Sequence, residues 1–502
     1  MQREGKHVLS HAAIYLVARG LPGIIAFLAI PLFSRLLAPA DYGRYALVMA
    51  SVGLLNALLF QWLRLSLVRY LPAFKDDPAR LTSTLMTCSL LLILGLGVIA
   101  GTMCALPVAQ GWRAVIGACW VMLAAQTMFE LSCEYARSVL RPWQYMVLQV
   151  MRSSAIIGLG ITLMLMGWGW WGPLVGGATG MTLAVAWVYR RQWVDVRLMI
   201  DRAALVKVCQ YGMPLSLTVA LTVVISSSDR FLIAGFMGEG AAGLYSVAVD
   251  FTSQTLTLLM LVINMAMFPI AVRAWELHGR EAAQEQMRSN AALLMAVGVP
   301  CVIGMTVLAP GIANCFLGQS YRSAAAQIIP LVALGAFLAG FKAYHFDAAF
   351  QFAHRTIYQV WIVLLAAVVN LLLNWVAIPR WGINGAAGAS VVAFVVSIVL
   401  TAWLGRRHFA LPFPMRECAR VLLAGVAMAV VVYPFRQNLG ALAVAGQVVA
   451  GGATYGAVLL GCNFLNLRDS FVRKYIPGGT ANVTGPDALD AAKVHLAEAQ
   501  LR

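Results

Sequence analysis

Apolar runs long enough to cross a bilayer recur from one end of this chain to the other, and they leave few folds open to it. A helix rises about 1.5 Å per residue, so roughly 20 apolar residues span a hydrocarbon core about 30 Å thick. Such runs stand at residues 12–37, 42–67, 82–107, 114–139, 145–166, 171–189 and 208–233. They continue at 241–268, 291–316, 324–350, 357–378 and 383–404, and a last pair stands at 419–433 and 439–464. Hydrophobic residues make up 61% of the 502 and charged residues 11%, against about 45–50% and about 25% in ordinary globular domains. The expected fold is therefore all-α, a polytopic membrane protein of about fourteen transmembrane helices.

The net charge of +16 invites a nucleic-acid reading, and its distribution removes it. Sorting Lys and Arg by alternating loops places 24 of the 36 on the side that holds the N-terminus and 7 on the other. Cationic loops stay in the cytoplasm during insertion, and an even number of spans puts both termini together, so both are expected to be cytoplasmic. The basicity is topological, and the implied partner is the lipid bilayer. Arg3 and Lys6 flank the first run like a signal peptide, but that run is too long and leads straight into a second, so it is expected to stay in the mature protein. The nine cysteines are scattered through apolar segments without metal-ligand or disulfide spacing.

The chain also repeats itself. Gly20-Leu21-Pro22 returns as Gly212-Met213-Pro214, Gly43-Arg44-Tyr45 as Gly243-Leu244-Tyr245, and Trp171-Gly172-Pro173 as Trp381-Gly382-Ile383, at offsets of 192, 200 and 210 residues. Six spans per copy is an even number, so the copies share one orientation, as in parallel-repeat transporters. The expected organisation is a six-helix bundle over 1–203, a second over 204–410, a helix pair over 411–465 and a cytoplasmic tail over 466–502. Loops are short. The longest, 269–290, carries balanced charges and reads as a solvated surface helix between the eighth and ninth spans.

Charge inside hydrocarbon is costly, about 2.5–3.5 kcal/mol per group on insertion scales, so each such residue is a candidate for function. The second copy carries Ser226-Ser227-Ser228-Asp229-Arg230 and, beyond a glycine-rich turn, Asp250. Asp229 and Asp250 each lie about ten residues from that turn, hence at one depth on antiparallel neighbours. Together with Arg230 they form either a proton or cation site or an internal ion pair. Arg19 lies in the first span, with Gln61 of the second at a matching level. Arg152 falls in the fifth span, and Lys342, His345 and Asp347 crowd the tenth. Arg offers a fork of donors suited to phosphate. Glu130, Glu134 and Arg137 share one helical face of the fourth span, as an interface network or as part of a transport site. Buried cations suit an anionic substrate and repel a cationic drug. Trp168, Trp170 and Trp171 are placed either to stack on sugars or to form an interfacial belt.

The fourteen spans, the run from Arg35-Leu36-Leu37 to Gly43-Arg44-Tyr45, the Asp229-Arg230 pair and Trp381-Gly382-Ile383-Asn384-Gly385-Ala386 resemble the oligosaccharide flippases. These belong to the superfamily that also holds multidrug antiporters and the lipid II flippase. The resemblance implies alternating-access movement of an undecaprenyl-diphosphate-linked oligosaccharide from the cytoplasmic to the outer leaflet of a bacterial inner membrane, for lipopolysaccharide or exopolysaccharide synthesis. It also implies a polymerase and assembly proteins as partners, and no cofactor beyond a coupling proton or sodium ion. In that role Arg19, Arg152, Arg230 and Lys342 would meet the anionic lipid-linked sugar, and Asp229 and Asp250 would couple the ion. A multidrug or cation antiporter is the alternative, supported by the same two aspartates. A membrane glycosyltransferase or polymerase would need a large extramembrane loop and a cluster of acid or base residues at the outer surface, and neither is present in the sequence.

Overall fold

The computed structural model describes residues 23–74, 77–106, 112–353, 355 and 357–466. The described residues form helices and turns without a strand. Hydrocarbon offers no water to an unpaired N–H or C=O, and a helix satisfies both within one segment. The first half comprises α1 (Gly23–Leu36), α2 (Pro39–Leu59), α3 (Gln61–Tyr70), α4 (Pro78–Ala105), α5 (Arg113–Ser138), α6 (Pro142–Leu163) and α7 (Trp171–Gln192). The second comprises α8 (Arg202–Met237), α9 (Glu239–Val307), α10 (Ala309–Phe316), α11 (Arg322–Phe341), α12 (Ala348–Phe352) and α13 (Ile357–Arg406). A final pair, α14 (Met415–Val432) and α15 (Ala441–Gly461), follows. The described parts of the expected spans lie largely on these helices, some across a break: the second runs over α2 and α3, the ninth over α9 and α10, and the tenth over α11 and α12, while residues 12–22 of the first lie outside the described residues.

Two helices carry two spans each, folded back at a glycine. In α9 the 69 residues reverse at Gly279 (φ 80°, ψ −162°), and in α13 the 50 residues reverse at Gly382 (φ 58°, ψ −140°). Both angles lie where a Cβ is strongly disfavoured. Residues 269–290 form the expected helical surface connector between the eighth and ninth spans, with one face packed on the molecule. Those residues continue the two spans as a helical hairpin that is partly packed. Ala271, Ala283 and Met287 are buried, Trp275 packs against Phe352 and Phe409 with ring centroids 5.6 and 5.4 Å apart, and Gln284 Nε2 donates to the Ala410 carbonyl at 2.6 Å.

One apolar cluster lies within the first half, around Leu63, Leu67, Leu85, Phe129 and Trp193. A second joins the halves, taking Phe33, Tyr42 and Ala46 together with Val247, Phe251, Leu317 and Tyr321. The α14–α15 pair packs on α9, where Tyr455 donates to the Ala296 carbonyl at 2.8 Å. Leu94, Val98, Leu372, Trp375 and Val449 point outward, as residues facing lipid do.

The halves meet most tightly at the end of the molecule that holds the α8–α9 turn. Ser34 Oγ accepts from Gly318 N at 3.1 Å, and Tyr321 donates to the Leu37 carbonyl at 2.9 Å. Arg35 donates to the Cys315 carbonyl at 2.7 Å, and Arg44 pairs with Glu239 at 2.7 Å. At the opposite end Ser66 donates to the Val208 carbonyl at 3.0 Å, and Arg80 pairs with Asp201. Asp201 caps α8 through the Ala204 N–H at 2.7 Å; that hydrogen bond, then Arg80, holds its carboxyl below the usual range.

Candidate functional site

Between the halves lies a cavity of about 500 Å³, walled by α1, α2, α6, α8 and α9. Its polar lining is supplied by Tyr42, Tyr45, Gln149, Arg152, Ser153, Ser226, Ser227, Arg230, Asp250, Ser253, Gln254 and Thr257. Three sequence-derived candidates therefore meet here: Arg152 from α6, Arg230 from α8 and Asp250 from α9.

Their pairing differs. Arg230 forms an ion pair with Asp250 Oδ1, and Tyr42 donates to Asp250 Oδ2 at 3.2 Å from the other half. Arg152 lies over the Phe129 ring at 5.5 Å and has no carboxylate at ion-pair distance among the described residues. A half-buried guanidinium without a counter-charge is costly in a membrane interior unless something anionic visits it.

Asp229 follows a different course. Successive residues on a helix point about 100° apart, so Asp229 turns away from the cavity face of α8 toward α13. There it accepts from Tyr245 at 2.6 Å, Asn374 Nδ2 at 2.6 Å and Ser390 Oγ at 2.7 Å. Asn370 Oδ1 accepts from Ser228 and Asn374, while Asn374 Oδ1 is buried without a hydrogen-bond donor. Asp229, Tyr245 and Ser390 line a second cavity of about 320 Å³ within the second half. This oxygen-rich cluster suits a proton or a small hard cation.

The remaining candidates stand elsewhere. Lys342 lies in a π-helical turn between α11 and α12, with Nζ 2.8 and 2.9 Å from the Asp347 oxygens, and lines neither cavity. His345 beside it is buried against Phe341, and neither ring nitrogen has a hydrogen-bond partner among the described residues. Glu130 pairs with Arg64 and accepts from Asn56 at 3.1 Å and Gln126 at 2.8 Å, a network internal to the first half. Glu134 pairs with Arg137 at 2.9 Å. Gln61 accepts from Arg64. Arg19 and Pro22 lie outside the described residues. Trp170 and Trp171 stack on each other at 4.4 Å, Trp168 is exposed, and none of the three lines the central cavity.

The sequence reading overlooked Tyr42, Gln149 and Gln254 in the first cavity and Tyr245, Asn370, Asn374 and Ser390 around Asp229. Asn370 and Asn374 carried a usable signal: two amides one helical turn apart in an otherwise apolar span.

The all-α fold, with two halves around a central polar cavity, is shared with solved membrane proteins. It aligns with the lipid II flippase MurJ in an inward closed conformation, with a TM-score of 0.72, 13% identity, 93% of this chain and 100% of that one. It aligns with an inward-facing multidrug resistance MATE family transporter of the MOP superfamily at 0.57, 16% identity, 81% and 98%. Residues 32–326 match the family described as "Polysaccharide biosynthesis protein", and the chain belongs to that family. Among curated relatives, it is 22% identical over 265 residues to an uncharacterized membrane protein of Methanocaldococcus jannaschii, covering 53% of this chain and 52% of that one. It is 24% identical over 218 residues to a Haloferax volcanii protein named "Probable low-salt glycan biosynthesis flippase", covering 42% and 44%. The chain thus spans about half the length of the curated relatives it matches.

Proposed function

We propose that this protein is a flippase that carries an oligosaccharide linked to undecaprenyl diphosphate from the cytoplasmic to the outer leaflet of a bacterial inner membrane. The observation that carries this reading is that Arg152, which has no carboxylate partner among the described residues, and Arg230 both line a hydroxyl- and amide-lined cavity between the halves. A diphosphate needs such cations, and sugar hydroxyls need such amides. Membership of the polysaccharide biosynthesis family supports the sugar, as does the glycan biosynthesis named for the Haloferax relative. Arg19 belongs to the same proposal, because α1, which follows it, contributes Ile25, Ala26 and Ala29 to the cavity wall. Lys342, held by Asp347, is assigned to the frame of the second half instead.

Alternating access then amounts to opening and closing the two ends of the cavity, with the α8–α9 turn on the outer side and Gly279 on the cytoplasmic side. Asp229 is the ion-coupling group, loaded by a proton or sodium. Polymerase and assembly proteins are the partners that would receive the exported sugar. An antiporter of cationic drugs is the second reading, favoured by the Asp229 cluster alone.

The test is reconstitution in vesicles carrying a fluorescent oligosaccharide on a prenyl diphosphate, with leaflet exposure read by an external glycosidase. Transfer should require Arg152, with Arg152→Gln inactive and Arg152→Lys partly active. Export of a cationic dye with no movement of the lipid-linked sugar would overturn the reading.

A further inference from the structure

The Arg230–Asp250 pair has features that a purely structural salt bridge would lack. Both side chains face the cavity, with Arg230 14% and Asp250 27% exposed. Arg230 Nε is buried and has no acceptor among the described residues, so the guanidinium fork is only partly used. A guanidinium offers five N–H donors arranged to grip two oxygens at once. Asp250 has a second holder, Tyr42, contributed by the opposite half. The carboxylate can therefore leave Arg230 without losing every hydrogen bond. Arg152, the other cavity cation, lies over the Phe129 ring and has no carboxylate partner among the described residues.

We propose that Asp250 is a built-in stand-in for the substrate's phosphate: it occupies Arg230 while the cavity is empty and is exchanged for the incoming anion when the cavity fills. This rests on the reading that the cavity receives an anionic group. Its physical basis is the cost of an unpaired cation in a dry site. A carrier must also reorient empty, and Arg230 left bare would penalise that step. A carboxylate presents the same pair of oxygens as a phosphate edge and neutralises Arg230 at that stage. Arg152, which has no such substitute, makes the first contact with the anion. The phosphate then bridges to Arg230, and Asp250 stays on Tyr42. On the far side the return of Asp250 to Arg230 helps expel the phosphate. Asp250 thereby lowers affinity in exchange for release, which is what a carrier requires of a binding site. No bond is made or broken in this cycle; one counter-anion replaces another.

The experiment uses the purified full-length protein in detergent, with inorganic pyrophosphate and a short-chain prenyl diphosphate as probes, followed by calorimetry. Removing the competing charge in Asp250→Asn should tighten binding by up to about fivefold, the scale of one partly exposed ion pair. The gain should vanish in the double variant Arg230→Gln/Asp250→Asn, and Arg230→Gln alone should bind more weakly than the parent. In vesicles Asp250→Asn should hold the lipid-linked sugar more tightly and turn it over more slowly. Asp250→Ser, which also removes the charge, should behave as Asp250→Asn does. Unchanged or weaker binding in both neutral variants, with parental thermal stability, would overturn the inference. So would failure of both to fold, which would mark the pair as structural. If the parent binds the probes and Arg152→Gln weakens that binding, the anion reading stands even where Asp250 has no effect. If no variant binds either probe, both fall.

Discussion

Gly43 and Gly243 pack backbone against backbone where α2 and α9 cross. A Cβ on Gly43 would stand 1.9 Å from the Glu239 carbonyl oxygen, and a Cβ on Gly243 would stand 1.9 Å from the Pro39 carbonyl oxygen. The contact is reciprocal, and both pairs of positions are 200 residues apart. The repeated Gly-x-Tyr motif thus meets its own copy, and the tyrosines beside it point to separate sites. Tyr42, which precedes Gly43, reaches Asp250, whereas Tyr245 reaches Asp229.

This crossing closes the α8–α9 end of the cavity, so a side chain there should pry it open. Overpacking of this kind costs about 1–3 kcal/mol, a shift of roughly 5- to 150-fold between closed and open forms. In a Gly243→Val background, a cysteine at Ser34, which is buried between the halves, should react with an impermeant maleimide much faster than in the parent. Equal labelling rates would show that this end does not open.

Lys342 and Asp347 should behave as a structural pair. Lys342→Met leaves a buried carboxylate uncompensated and should cost about 3–5 kcal/mol, and Lys342→Met/Asp347→Leu should recover most of it. Thermal unfolding of the purified variants reads this directly. A Lys342→Met protein that keeps its stability yet loses transport would return Lys342 to the substrate.

Gly279→Ala should lower stability by about 1–3 kcal/mol, because the reversal of α9 uses backbone angles nearly confined to glycine. Loosening should be local. Protease cleavage next to the exposed Leu277 should accelerate while the helices around the cavity stay protected.

Asp229 and Asp250 should separate in their response to ion gradients. Asp229→Asn is expected to abolish the dependence of transport on the driving proton or sodium gradient. Asp250→Asn is expected to retain that dependence while changing affinity. Transport assays with each gradient imposed alone distinguish the two, and identical behaviour would merge the two aspartates into one site.

Reporter fusions after Arg407 and Arg502 should score as cytoplasmic, and one after Ala40 as external. An external C-terminal reporter would reverse the assignment of the cavity's two ends.

Sequence alone determined the helices, their order and their turns, because an apolar run in lipid has few alternatives to a helix and glycine marks where it reverses. It also set how far along its helix each charge stands, since distance along a helix is linear in residue number. That is why Asp229, Arg230 and Asp250 were legible as one level on two helices, and the Arg230–Asp250 ion pair and the Tyr245–Asp229 hydrogen bond join α8 and α9 there. Direction around the helix is different. It acquires meaning only from the neighbours, and those are set by packing between segments far apart in the chain. Adjacent residues Asp229 and Arg230 consequently serve separate cavities, one facing Asn374 and Ser390 of α13, the other Asp250 of α9. Lys342 and Arg152 looked alike as buried cations, yet tertiary structure gave Lys342 a carboxylate five residues away and left Arg152 with an aromatic ring. The connector around Gly279 follows the same rule: its balanced charges marked it as a surface helix, and only contact with Phe352 and Phe409 shows which face is buried.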